Sequence, residues 1–62
     1  MRFAKAFDKM KEGHRFIVTG IRYCVKNGML FFYDEGRERW VREVIDSVFV
    51  DLLKSRWVLI DD

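Results

Sequence analysis

Phe3, Ala6, Phe7 and Met10 fall at i, i+3, i+4 and i+7, the spacing of one face of a 3.6-residue helix. Lys5, Asp8, Lys9 and Glu12 fall off that face and can stay in water. Gly13 follows the last turn, where a left-handed C-cap carries no Cβ strain. The pattern predicts a short amphipathic helix over residues 3–13, with Phe7 as the central ring of its contact with a sheet. Met1 and Arg2 supply no Ser, Thr, Asp or Asn as an N-cap, so the helix start is expected to fray.

After Gly13 the period changes from 3.6 to 2. His14 to Thr19 is β-branched and aromatic and predicts a strand. Gly20 interrupts it, which predicts a bulge, bend or tight link rather than a full hairpin. Ile21 to Lys26 resumes the alternation, with Ile21, Tyr23 and Val25 on one face and Arg22, Cys24 and Lys26 on the other. Asn27-Gly28 is the strongest hairpin signal in the chain, because both residues accept the positive φ of a type I′ turn. Met29 to Tyr33 is the return strand, and Asp34-Glu35-Gly36-Arg37 the next turn, with Gly36 where positive φ is wanted. Glu38 to Ile45 predicts a strand with Trp40 and Arg42 on one face and Arg39 and Val41 on the other. Asp46-Ser47 offers an N-cap and Val48 to Ser55 can make about two turns, read as a short helix from the neighbourhood of Asp51 onward; the competing reading is a strand through Val50. Arg56 to Ile60 reads as a closing strand, ahead of Asp61-Asp62. The class is therefore α+β: an N-terminal amphipathic helix on a curled antiparallel sheet of four or five strands, with a short second helix before the last strand. Residues 1–62 form one domain.

Met29 to Tyr33 is apolar on both faces, and a helix can cover only one of them. A curled, barrel-like sheet would cover the second face, and so would another copy of the chain. Self-association is the expected solution.

Composition narrows the classes. A chain of 62 residues is near the lower limit for a domain that folds alone. Its single cysteine excludes an internal disulfide and a thiolate-rich zinc site, and fits a reducing, cytoplasmic location. No apolar run approaches the roughly 20 residues of a membrane span, and no signal peptide is expected. A net charge of +2, spread along the chain, argues against a dedicated nucleic-acid binder.

Catalytic chemistry is sparse. His14 is the only histidine, and no Asp, Cys or Ser lies at a spacing that suggests a base and nucleophile. Beside a helix C-terminus it reads as a surface residue near the cap. Cys24 reads as a small half-buried strand residue. The acid pairs Asp34-Glu35 and Asp61-Asp62 do not resemble a metal site, and no phosphate-binding glycine pattern is present. No enzyme activity and no cofactor are expected. The arginines carry more. Arg37, Arg39 and Arg42 flank Trp40, and Arg22 neighbours Tyr23. Guanidinium forks grip phosphate and rings stack on bases, so Arg22, Tyr23, Arg37, Arg39, Trp40 and Arg42 form a candidate nucleotide-binding set. The bland alternative is a solvated face on which Arg39 and Arg42 pair with Glu38 and Glu43.

Three blocks carry a family resemblance. Phe3 to Gly13 resembles the "F-x-x-A-L-x-x-L-K-x-G" opening of small phage and prophage proteins grouped with Thoeris anti-defence 2. Gly28 to Tyr33 is similar to that family's "G-M-Y-L-Y" strand, and Asp51 to Ile60 to its "D-L-L-A-x-D-W-E-V-V" close. The blocks keep the family's order and cover about half the chain. The resemblance implies a homo-oligomeric sponge in the host-cell cytoplasm that sequesters a cyclic nucleotide immune signal without cleaving it. The chain departs from the family's "V-R-R-x-x-W", carrying Phe16 to Ile21 there, and lacks the long insertion before the last helix. Lys54-Ser55-Arg56 stands in place of an acidic turn. The fold is thus expected to transfer better than the ligand pocket. The other classes are an inhibitor or adaptor that binds a host defence protein through an apolar strand face, and a nucleic-acid-binding accessory domain.

Overall fold

The computed structural model describes residues 1–44 and 49–60. Helix α1 spans Phe3–Lys11, strands β1 to β4 span Phe16–Val18, Ile21–Lys26, Met29–Asp34 and Arg39–Arg42, helix α2 spans Phe49–Lys54, and β5 spans Val58–Leu59. The strands form one antiparallel sheet in the order β4-β3-β2-β1-β5. The α+β class, the helix on the sheet and the short helix before the last strand are as the periodicity predicts. Ile45, the Asp46-Ser47 cap, Val48 and the terminal Asp61-Asp62 lie outside the described residues.

Helix α1 has no side-chain bond at its N-cap, Arg2. Its other end is closed by paired bonds: Gly13 N–H donates to the Met10 carbonyl and His14 N–H to the Lys9 carbonyl. This is a Schellman motif, and it needs the positive φ of 105° that Gly13 supplies. Ala6 and Met10 are its fully buried residues, whereas Phe7 is half-buried at the rim of the contact. Phe7 is therefore a flanking ring and not the central one.

The centre belongs to Trp57, 1% exposed, just ahead of β5. Its ring packs 5.1 Å from Phe3 and 5.0 Å from Tyr23, and its indole N–H donates to the Leu52 carbonyl at the end of α2. Phe49 meets Phe3 edge-on at 5.3 Å. Helix α2 thus begins two residues ahead of the expected neighbourhood of Asp51, and Phe49-Val50 is helical rather than strand. Burial of Phe49 outweighs the β preference of those residues.

Two turns differ from expectation. Thr19-Gly20 closes a full two-residue hairpin, with Val18 opposite Ile21. Its φ values of 49° and 79° match those of Asn27-Gly28, 53° and 75°. Two-residue turns with positive φ at both positions follow the twist of their strands. Gly36 is not a positive-φ residue; Glu38 takes that role at 54°. The Asp34 carboxylate accepts the Arg37 N–H at 3.3 Å, closing the first part of the turn. The reversal then falls on the last loop residue, so β4 begins at Arg39.

Candidate ligand-binding face

Cross-strand register sorts the side chains. Tyr23 pairs with Phe32 and Phe16, and Val25 with Leu30, on the face covered by the helices. Cys24 pairs with Phe31, Tyr33 with Trp40, Phe31 with Arg42 and Ile17 with Arg22 on the opposite face.

That second face is a ladder of guanidinium groups and rings. Arg22 places its guanidinium carbon 4.4 Å from the Tyr33 ring centre. Tyr33 meets Trp40 edge-on at 5.3 Å, and Arg15 covers Trp40 at 5.4 Å. A flat sheet would hold strands three apart about 14 Å from each other. The Arg15–Trp40 contact therefore reports a sheet curled toward this face. Curling and the arginine stems together cover much of the second apolar face, leaving Cys24 only 8% exposed. Phe31, Tyr33 and Trp40 stay half-buried.

Of the six sequence candidates, three share this face: Arg22, Trp40 and Arg42. Tyr23 does not. Its ring is 2% exposed beneath the helices, so it is a core residue with no surface for stacking. Burial, with the Glu43 carboxylate as a smaller cause, pushes its hydroxyl up to about 12. Arg39 alternates to the other side of β4, opposite Asp34. Arg37 lies in the turn, 3.7 Å from the Asp34 carboxylate. Tyr33 and Arg15 were missed by the sequence reasoning. Alternation places each of them on a face, but only the register and curl bring Arg15 over the β4 ring.

The electrostatics are lopsided. Glu35 stands 3.9 Å from Arg22 in an exposed ion pair. Arg42 makes no ion pair with any described residue. Burial raises the Cys24 thiol, partly offset by Lys26 and Arg15, so a reactive thiolate is disfavoured. An open depression of about 260 Å³ sits at the Arg22–Tyr33 end, lined also by Gly20, Asp34 and Glu35. Its volume falls below the roughly 300–1,000 Å³ of clefts that enclose small ligands, so a ligand here would lie on the rings. Among the described residues no group of His, Cys, Asp and Glu is placed to hold a metal ion. No helix is long and apolar enough to cross a membrane.

No protein-family model, curated protein or solved structure matches this chain.

Proposed function

We propose that this chain is a binding protein that holds a phosphate-bearing nucleotide on the Arg22–Tyr33–Trp40–Arg15 face and does no chemistry on it. The ladder is the observation that carries the reading. Guanidinium groups already held over rings, at 4.4 Å for Arg22 on Tyr33 and 5.4 Å for Arg15 on Trp40, are partly ordered before any ligand arrives, so less side-chain entropy remains to be lost. A base can lie against Trp40 or Tyr33, and the arginine forks can turn their N–H groups to phosphate oxygens. Arg42 adds a cation with no ion-pair partner among the described residues. The biological form of the reading, a phage-encoded sponge for a cyclic nucleotide immune signal, rests on the three-block resemblance.

A thermal-shift and calorimetric screen against cyclic dinucleotides and cyclic ADP-ribose variants tests it. A ligand at 100 times its dissociation constant adds about 2.7 kcal/mol to the native state. Trp40→Ala and Arg22→Lys are expected to lose that shift, because an ammonium cannot reproduce the fork. No stabilising nucleotide in the screen overturns the reading.

A second reading has its own observation. Phe7, Met29, Leu30 and Val44 line an open groove of about 400 Å³, with Gly28, Arg42 and Glu43 also on its wall. Met29 and Val44 are exposed, which suits an apolar side chain of a host protein. A binding partner that protects Met29 from oxidation would favour it.

A further inference from the structure

The two edges of the sheet are treated differently. On β5 the register to β1 and the Ile60-to-Arg15 bond turn the Trp57 N–H and C=O outward. Met1 takes both: its carbonyl accepts the Trp57 N–H at 2.7 Å, and its α-ammonium donates to the Trp57 carbonyl at 3.2 Å. That blunts the Trp57 end of the edge, while Leu59, in the same phase, also faces outward with no backbone bond to a described residue. On β4 the bond from Glu43 N–H to the Leu30 carbonyl fixes the opposite phase, so Trp40 and Arg42 turn their backbone groups outward. No described residue pairs with them. Unpaired edges template further strands unless they are guarded.

The β4 edge is also complementary to itself. We propose that two copies of this chain pair β4 to β4 antiparallel about a two-fold axis at Val41, joining their sheets. In that register Trp40 lies opposite the partner's Arg42, and each exchanges both backbone bonds with the other. Val41 meets the partner's Val41 in the close, non-hydrogen-bonded position. Arg39, which has no ion pair with a described residue, comes opposite the partner's Glu43. Neighbouring registers are worse. A slide one way sets Arg42 against the partner's Arg42, a like-charge pair. A slide the other way draws Glu38 into the ladder, where its φ of 54° does not fit. The chosen pairing puts a second guanidinium beside each Trp40, so the aromatic–arginine faces of the two copies become one continuous surface. The pairing rests on the edge alone and not on the ligand reading.

Sedimentation at micromolar concentration without nucleotide, together with oxidation of variants that each add one cysteine to native Cys24, is the test. The wild type is expected at twice the chain mass of 7.5 kDa. Val41→Cys is expected to form a covalent dimer, since directly opposed Cα atoms at about 4.5 Å lie within disulfide reach. Arg39→Cys is expected to stay uncoupled, because its two copies are offset by four residues, about 13 Å along the strands. Native Cys24 is buried and serves as the silent background. A wild-type mass of 7.5 kDa, or equal coupling at positions 39 and 41, overturns the pairing. A dimer that binds no nucleotide supports it and removes only the ligand reading.

Discussion

The two faces of this sheet are both rich in aromatic rings, yet they are closed in opposite ways. On the helix side, Phe16, Tyr23 and Trp57 lie in the core cluster with 2% exposure or less, and Trp57 packs against the Tyr23 and Phe3 rings. On the other side, Phe31, Tyr33 and Trp40 are half-buried, and the lids over Tyr33 and Trp40 are the guanidinium planes of Arg22 and Arg15. A ring covered by a ring has no exchangeable partner. A guanidinium on a ring is an electrostatic contact worth only about 0.5–1 kcal/mol at an exposed site, and a base offers a similar stack. Stability therefore sits on one face, and the binding capacity proposed above would sit on the other.

The largest test removes the centre of the closed face. Trp57→Ala deletes contacts to Phe3 and Tyr23 and the bond that ends α2, and such truncations cost about 3–5 kcal/mol. A domain this small is expected to unfold, read as loss of its cooperative melt. Trp40→Ala, the matching deletion on the other face, is expected to leave a folded protein while removing nucleotide binding. Equal destabilisation by both would erase the distinction between the faces.

Alkaline titration reads the closed face by a second route. Tyr23 has a folded pKa near 12, above its ordinary value of 10.0. The folded state holds that proton longer than the unfolded state does. The stability it contributes is full below pH 10 and is lost as pH rises toward 12. The loss is up to about 2–3 kcal/mol at 1.36 kcal/mol per unit. Denaturant melts at pH 9 and above measure it, and Tyr23→Phe is expected to flatten the decline relative to wild type.

Smaller effects sharpen the contrast at its margins. Thr19 is β-branched at φ 49°, a backbone region that costs L-residues roughly 1–2 kcal/mol. Thr19→Asn converts this hairpin to the Asn-Gly form of its neighbour and is expected to stabilise by about 1 kcal/mol in denaturant melts. Glu35→Gln breaks an exposed pair, so stability is expected to stay within about 0.5 kcal/mol. Nucleotide affinity should rise, because the carboxylate no longer competes for Arg22.

Much of the fold was legible because the period of the apolar residues changes at Gly13 and the Asn27-Gly28 turn is unambiguous. What was hidden is physical. Alternation placed Ile21, Tyr23 and Val25 on one face, but it carries no sign, so it did not say which face the helix covers. Tyr23 was assigned to the ligand and went to the core. The Thr19-Gly20 hairpin was obscured because threonine is a poor residue for left-handed backbone. The candidate site was legible only in part: Arg22, Trp40 and Arg42 share a face, while the Arg15–Trp40 contact depends on a curl that local pattern does not encode.

The partnership of β1 with β5 has a kinetic consequence. Hairpins β1–β2 and β2–β3 close over two residues, a step of about 1–10 μs in isolation. Phe16 meets Leu59 only after a loop of roughly forty residues has closed, and Met1 and Trp57 are 56 positions apart. Closure entropy grows only slowly with loop length, but it must be met before the distant contacts return anything. The early hairpins thus wait on the last segment for the indole that fills their core. Folding should run as one slow, all-or-none event whose rate falls when Trp57 or Phe16 is weakened and is indifferent to changes at Trp40.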